Sequence, residues 1–210
     1  MLKVLRGRGG DAIEVVDADR RVFLAQLGAG EQASILEVLQ EPGEEDIGIS
    51  LYQAVPKGGR MDLVVEKATE VGATRIVPLL SSRGIMRPGG AKVGRWRRVA
   101  EAAARQSLRL GVPEVAEPMA FSEAVREAGG GGVLLHNALG LEPLEAVVPA
   151  LASLFVGPEG GWSEGELRAA GEAGLALAQL GPYRLRSETA GMVAVARARA
   201  ALERSAGKIG

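Results

Sequence analysis

The chain has 210 residues, of which 47% are hydrophobic and 24% are charged, and its formal net charge is −1. This composition predicts a globular protein made of one ordinary domain, or of a small module joined to a medium-sized one. Because neither a long apolar run nor a signal-peptide pattern appears in the sequence, we expect no membrane partner and a cytoplasmic location.

The sequence contains no cysteine and a single histidine, His136. Disulfides, thiolate metal sites and cysteine nucleophiles are therefore excluded, and no metal centre is predicted. A lone histidine at the end of an apolar strand is more often a structural residue than a base. We therefore interpret His136 as part of a pocket wall rather than as the general base of a reaction.

The first forty residues predict a small β module. Short alternating runs, separated by turns rich in glycine and aspartate, indicate strands at residues 12–16, 21–27 and 33–39. The acidic segment 41–46 carries a Pro-Gly turn. We place a domain boundary there, with the first domain at residues 1–44 and the second at residues 46–210.

From residue 47 onward the pattern changes to an alternation of strands and helices. The predicted strands are 47–55, 74–80, 132–136, 151–156 and 175–180, and the predicted helices are 61–71, 94–110, 122–128 and 188–204. Ser163 and Glu166 form the signature of a capping box at the start of another helix. This order predicts an α/β domain whose mostly parallel sheet is covered by helices on both faces.

A basic stretch follows the second strand of this alternation. Its cations, with no acidic residue among them, are Arg83, Arg87, Lys92, Arg95, Arg97 and Arg98. Such a stretch can contact the phosphates of a nucleic acid. The pattern alone favours the alternative, an ordinary solvated loop and helix face. Trp96, inside the stretch, either stacks on an unpaired base or anchors the helix to the sheet, and we favour the anchor.

Three loops follow the predicted carboxyl ends of strands, at residues 135–137, 157–161 and 180–190. Ligands bind at that edge of open α/β sheets, and glycines in the loops let the backbone approach a ligand closely. The competing interpretation is a set of ordinary turns and caps. In that interpretation Glu159 and Glu188 each lie near a helix start, where a carboxylate interacts favourably with the helix dipole. No phosphate-binding P-loop and no G-x-G-x-x-G motif occurs in the sequence.

An ordered set of motifs then carries a family resemblance. The segments are P-K-G-G-R-M-D at 56–62, E-K-A-T-E at 66–70, I-V-P-L at 76–79, V-G-P-E-G-G at 156–161, L-G-P at 180–182 and L-R-S-E-T-A at 185–190. In this order and spacing they resemble the RsmE family of S-adenosylmethionine-dependent methyltransferases, which methylate N3 of a uridine in 16S ribosomal RNA. The resemblance runs from about residue 47 to residue 196.

The resemblance implies a SPOUT fold, an α/β domain whose C-terminal chain is threaded into a trefoil knot. It also implies that the N-terminal module is a PUA-like β barrel that binds RNA, and that the active site forms in a homodimer. The cofactor, S-adenosylmethionine, would be held by Leu135, His136, Val156, Gly157, Gly160, Gly161, Leu180, Gly181, Leu185, Arg186, Ser187, Thr189 and Ala190.

The chemistry of the reaction suggests roles for the charged residues. Uridine N3 carries a proton at neutral pH, so methylation requires a base for that proton or donors that stabilise charge on the uracil oxygens. We assign the electrostatic role to Arg186 and Arg83, and the role of base or positioning group to Glu159 and Glu188. The alternatives are a SPOUT enzyme with another target (a ribose 2′-hydroxyl or a tRNA base) and a non-catalytic RNA-binding or ribosome-assembly protein.

Overall fold

The computed structural model describes residues 8–17, 21–29, 32–40, 47–84, 88–109, 111–149 and 152–207. By its internal contacts the chain divides into two compact units, residues 1–45 with 108–111 and residues 46–107 with 112–210. The predicted boundary segment at 41–46 and the predicted phosphate-binding residue Arg87 lie outside the described residues.

The first unit contains an antiparallel sheet of three strands in the order β1-β2-β3. The strands are β1 (Ala12–Val16), β2 (Val22–Leu27) and β3 (Ala33–Gln40), each within one residue of its predicted bounds. Val22 and Phe23 are both buried although they are consecutive, and the register against β3 shifts between them. A bulge of this kind interrupts the alternation of a strand, which explains the two neighbouring buried side chains.

The second unit is built on a parallel sheet of seven strands. They are β4 (Ile49–Ala54), β5 (Arg75–Leu80), β6 (Glu114–Val115), β7 (Met119–Ala120), β8 (Gly132–Leu135), β9 (Ala152–Val156) and β10 (Ala176–Ala178). The order is β10-β8-β9-β4-β5-β6, and β7 also pairs with β5. The predicted parallel sheet is confirmed.

Helices cover both faces of this sheet. They are α1 (Met61–Glu70), α2 (Gly90–Gln106), α3 (Phe121–Ala128), α4 (Leu144–Val147), α5 (Glu164–Glu172) and α6 (Ser187–Ser205). Successive residues of β4 belong to different cores: Leu51 packs in the core with α1, α2 and α6, and Tyr52 in the core with α3 and α5. This is the arrangement expected when a strand is buried on both sides.

The structure corrects several predicted bounds. The helix expected at 94–110 runs from Gly90 to Gln106, because Gly89 and Gly90 begin it and Leu108 adopts a left-handed φ of 55° that ends it. The elements β6, β7 and α4 are too short to show a periodicity and were not predicted.

Trp96 is 4% exposed within the core, so the anchoring interpretation is confirmed. Among the described helices, none is both long and apolar enough to span a membrane.

Candidate functional site

The loops that follow the parallel strands gather at one edge of the sheet. In the ladder Leu135 pairs with Val156, and Val156 pairs with Gln53, so β8, β9 and β4 end at the same level. A cavity of about 580 Å³ opens at this edge, lined by the three loops predicted as a ligand site and by Arg83. Its size lies in the usual range for small-molecule sites, which is about 300–1,000 Å³.

The structure brings most of the predicted site residues together around this cavity. Its lining contains Leu135, His136, Val156, Gly157, Gly160, Gly161, Leu180, Gly181, Leu185, Arg186, Ser187 and Ala190, with the predicted catalytic residues Arg83 and Glu159. Two predicted residues, Thr189 and Glu188, lie in the first turn of α6 and are not part of the lining.

Five further residues line the cavity without having been predicted as ligands of the cofactor: Asn137, Pro158, Trp162, Tyr183 and Arg184. Asn137, Pro158, Tyr183 and Arg184 lie within the three loops predicted as a ligand site, and Trp162 directly follows the second of these loops. Tyr183 is 81% exposed, and Asn137 and Arg184 are exposed as well, whereas Pro158 and Trp162 are buried.

One wall of the cavity depends on the close approach of Trp162 to the backbone of Gly157. The indole Nε1 donates a hydrogen bond of 2.9 Å to the carbonyl oxygen of Leu135, which fixes the ring under the loop. A Cβ atom added at Gly157 would lie only 3.1 Å from Cε2 of this ring. Packing therefore favours glycine at position 157, whereas Gly161 and Gly181 have left-handed φ values of 68° and 119°.

A hydrogen bond joins the start of α6 to the same loop. Ser187, the first residue of α6, is buried, and its Oγ donates to the carbonyl oxygen of Gly157 at 2.7 Å. Arg186 precedes it as the N-cap residue, and its side chain is exposed. No hydrogen bond or ion pair from the Arg186 guanidinium to another described residue is found, so this cation is available at the cavity.

The two predicted carboxylates have different surroundings, and Arg60 connects them. Arg60 Nε lies 3.4 Å from Oε1 of Glu188, and Arg60 Nη1 lies 4.0 Å from Oε1 of Glu159. Glu159 Oε1 also accepts a hydrogen bond from the backbone N–H of Lys57 at 3.1 Å. Arg60 lies in the 56–62 segment that carries the family resemblance, but the sequence predicted no role for it, because its partners lie far along the chain.

The helix-dipole interpretation holds for one of these carboxylates only. Glu188 lies in the first turn of α6, with a side chain that is 7% exposed. Its Oε2 is buried without a hydrogen-bond partner in the described part of the chain. Glu159 is not at a helix start, since α5 begins at Glu164, and 32% of its side chain is exposed. The dipole interpretation of Glu159 is therefore wrong.

The predicted capping box at the start of α5 is confirmed, and it reaches further than expected. Besides its bonds with Ser163, the carboxylate of Glu166 accepts hydrogen bonds from the backbone N–H and the hydroxyl of Ser82, at 2.8 and 2.9 Å. Burial acts to raise the pKa of Glu166, but these donors outweigh it and hold that pKa below the usual value. The capping box thereby holds Ser82, the residue that precedes Arg83, in place.

The cations of the basic stretch are not equivalent in the structure. Arg83 Nη1 donates to the carbonyl oxygen of Gly160 at 2.9 Å. Arg95 pairs with Asp62, and Arg97 donates to Val115 O and to Glu117 at 3.0 Å each. Lys92 and Arg98 are exposed on α2 and form no ion pair with other described residues. Within the described residues no group of three or more acidic or histidine side chains is placed to hold a metal ion.

Comparison with known proteins identifies the family. A family model described as an RNA methyltransferase domain matches residues 43–199. The ribosomal RNA small subunit methyltransferase E of Synechocystis is 36% identical over 96% of this chain and 70% of its own length. The protein of the same name from Mycobacterium bovis is 38% identical over 70% of this chain, and the match spans 61% of that relative's length.

Solved structures show the same likeness. The ribosomal RNA small subunit methyltransferase E of Neisseria gonorrhoeae, bound to S-adenosylmethionine, superimposes with a TM-score of 0.80 at 31% identity, covering 97% of this chain and 87% of the other. A methyltransferase from Legionella pneumophila, also bound to the cofactor, gives a TM-score of 0.77 at 30% identity, covering 95% and 87%. The chain therefore belongs to the RNA methyltransferase family that includes ribosomal RNA small subunit methyltransferase E.

Proposed function

We propose that this protein is an S-adenosylmethionine-dependent methyltransferase that methylates N3 of a uridine in 16S ribosomal RNA. The observation that carries the proposal is the cavity, which is lined by nearly all of the residues that the family resemblance assigns to the cofactor. The names of the relatives from Synechocystis and Mycobacterium bovis support the activity, and the cofactor bound in the Neisseria structure supports the choice of methyl donor.

The lining of the cavity fits this cofactor in its chemistry. Leu135, Val156 and Leu180 offer an apolar wall for a flat heteroaromatic ring, and the glycines of the 157–161 loop expose backbone polar groups to the ribose and amino-acid portions. When bound, S-adenosylmethionine supplies a methyl group on a positively charged sulfur, which is an electrophile. The protein has to orient the acceptor nitrogen and deal with its proton.

The charged residues at the cavity suit the second task. Glu159 lines the cavity and is partly exposed, so its carboxylate takes the proton of uridine N3 and leaves the electron pair on the nitrogen. Arg186 and Arg83 stabilise the negative charge that spreads to the uracil oxygens. Glu188 is buried and does not line the cavity, so it acts as a positioning group rather than as the base.

The SPOUT fold and its knot form a second part of the proposal. The strand β10 lies at the edge of the sheet, whereas α6, which follows it, returns to the middle, where Ser187 contacts the loop after β9. Such a path is what threading of the C-terminal chain requires. Pulling the two ends apart in a single-molecule experiment tests it, because a tightened knot shortens the extended chain relative to an unknotted one of equal length.

The RNA and the second subunit complete the proposal. We assign phosphate contacts to the exposed cations Lys92 and Arg98, and RNA binding to a PUA-like module at residues 1–44. The resemblance implies a homodimer of the 46–210 domain, and sedimentation of the purified protein checks that state. A ribosomal RNA substrate is consistent with a cytoplasmic location.

The decisive experiment joins cofactor binding to product identity. Calorimetric titration with S-adenosylmethionine and S-adenosylhomocysteine should give micromolar binding, about −8 kcal/mol. Incubation with small-subunit RNA and labelled cofactor, followed by mass spectrometry of the nucleosides, should give 3-methyluridine. Methylation of a ribose 2′-hydroxyl or of tRNA would assign another target, and RNA binding without cofactor binding would overturn the proposed catalysis.

A further inference from the structure

A fully buried polar residue, Gln53, lies behind the cavity without lining it. It is the penultimate residue of β4, in the middle of the sheet, and it is 0% exposed. We infer that Gln53 is a positioning residue for the cofactor cavity, acting through Ser187 on the carbonyl group of Gly157. The inference rests on the proposed function, because it names a residue that shapes the same cofactor site.

Two hydrogen bonds in series connect Gln53 to the cavity wall, and a third anchors its amide to the backbone of β4. Its Nε2 donates one hydrogen to the carbonyl oxygen of Ala54 and the other to Oγ of Ser187, at 3.0 Å each. Ser187 Oγ in turn donates its hydrogen to the carbonyl oxygen of Gly157 at 2.7 Å. Since the hydroxyl accepts from Gln53, its own hydrogen is directed to Gly157, and the loop carbonyl is fixed.

The neighbours of Gln53 determine which way its amide faces. The carbonyl oxygen of Ala54 accepts hydrogen bonds and donates none, so the nitrogen end of the amide must face it. The other end, Oε1, is buried without a partner in the described part of the chain and is directed at Gly191 of α6. A buried carbonyl without a partner costs free energy, so Gln53 is not the residue that core stability alone would favour.

Gly191 provides the space that this arrangement needs. A Cβ atom added there would overlap Gln53 Oε1, while its next neighbours, the Cδ of Gln53 and Cγ1 of Val64, would be 3.4 and 3.5 Å away. Glycine in the interior of a helix is unfavourable by roughly 0.5–1 kcal/mol relative to alanine, so its presence in α6 needs a packing reason. The Gln53 side chain is that reason.

The three connected residues are far apart in sequence but adjacent in the sheet. Gln53 is the penultimate residue of β4, Gly157 follows β9, and Ser187 begins α6. The strands β4 and β9 are neighbours in the sheet. The loop at 157–161 and the start of α6 both line the cavity. By holding these two pieces against β4, Gln53 sets the distance between two walls of the cofactor site.

Substitution by methionine provides a test with little change in volume. Q53M removes both donors and also the unpartnered carbonyl, so the fold should persist. We expect S-adenosylhomocysteine to bind about ten-fold more weakly to Q53M and to S187A, as measured by calorimetry. The double variant should lose no more affinity for S-adenosylhomocysteine than either single variant. Both substitutions interrupt the same series of hydrogen bonds from Gln53 through Ser187 to Gly157.

A readout without cofactor separates this inference from the proposed function. In the unliganded protein, hydrogen exchange of the backbone amides at 157 and 159–161 should be faster in Q53M than in the parent. T74V is the matched control, because Thr74 Oγ1 accepts from Ile49 N at 3.0 Å and donates to Ile49 O at 3.1 Å at the opposite end of β4. T74V should leave both the exchange of 157–161 and the affinity unchanged.

The outcomes are distinguishable. If the parent protein binds the cofactor and Q53M binds it equally well, with unchanged exchange at 157–161, the inference is wrong and the proposed function stands. If the parent fails to bind, the proposed function is wrong, and the inferred role at a cofactor site is wrong with it. Additive losses in Q53M and S187A would also overturn the inference, since they would mean that the two residues act independently.

Discussion

The floor and the rim of the cavity are built in different ways. The floor consists of Leu135, Gly157, Trp162 and Ser187, and these residues are joined to each other through hydrogen bonds of 2.7 and 2.9 Å and close packing. The rim consists of Arg83, Glu159, Tyr183 and Arg186, of which Tyr183 is 81% exposed, against 4% for Trp162.

Because its floor and rim differ in this way, one site can serve two ligands of unequal size. Methyl transfer is an in-line reaction that depends on alignment, so the part that orients a small cofactor has to be rigid before binding. An RNA substrate is large and flexible, and exposed cations can adjust to it. We therefore expect substitutions in the floor to act on cofactor affinity, and substitutions in the rim to act on turnover or RNA binding.

The largest effect should come from the rim residue Arg186. R186A removes a cation available at the cavity, and loss of one preorganised electrostatic donor typically lowers kcat by about 10² to 10³-fold. Affinity for S-adenosylhomocysteine should fall much less than kcat, because Ser187 and Gly157 remain in place among the residues expected to hold the cofactor. Single-turnover kinetics and calorimetry measure the two quantities.

The control for R186A is R168A, which removes an exposed cation on α5 that does not line the cavity. Its turnover should equal that of the parent protein. Unchanged turnover in R186A with normal cofactor binding would show that the assignment to Arg186 is wrong and would weaken the contrast between rim and floor.

The next largest effect should come from Glu166. Its hydrogen bonds hold Ser163, which follows the floor residue Trp162, and Ser82, which precedes the rim residue Arg83. E166Q weakens charge-assisted hydrogen bonds to Ser82 and Ser163 and should lower the free energy of unfolding by about 2 kcal/mol. Because the pKa of Glu166 is lower in the folded protein, its contribution is present above the ordinary glutamate pKa, about 4.3, and is lost as pH falls through the folded pKa. Urea unfolding at several pH values measures this.

E164Q is the matched control for E166Q. It removes the same charge from the same first turn of α5, where Glu164 is exposed. The acid-dependent part of the stability should be retained in E164Q and reduced in E166Q. Equal pH profiles for E166Q and the parent would contradict the structural account of the capping box.

A substitution in the floor should act on cofactor affinity. In G157A the new methyl group would press on the Trp162 ring at 3.1 Å, so the ring or the loop must shift. We expect about ten-fold weaker binding of S-adenosylhomocysteine by calorimetry. G160A lies in the same loop, but its methyl group would meet Arg83 Cβ at 3.5 Å, an ordinary contact, so affinity should fall by less. A greater loss in G160A would contradict the steric argument.

The smallest effect should come from the basic helix α2. K92A and R98A each remove an exposed cation, so RNA binding should weaken several-fold, and the slope of log K against log salt should decrease by about one per residue. R97A is the comparison, because Arg97 is engaged by Val115 O and Glu117, and its removal should change the slope less. Equal slopes in all three variants would mean that the ion pairs do not distinguish these cations.

Much of the architecture could be predicted from the sequence because it depends on local patterns. Hydrophobic periodicity revealed the strands from β1 to β5, and glycine-bearing loops after β8, β9 and β10 indicated the edge at which the cavity lies. The bounds of α2 were missed, since Gly89 and Gly90 look unfavourable for a helix start and nothing local signals the left-handed Leu108.

The layered α/β plan, the capping box of Glu166 and the set of loops that meet at the site follow from local sequence patterns. The contacts that hold those loops emerge only in the folded chain: Trp162 packs under Gly157, Gln53 lies behind Ser187, and Arg60 lies between Glu159 and Glu188. Periodicity and capping act within a few residues, whereas these contacts join residues that become adjacent only after the parallel strands have assembled.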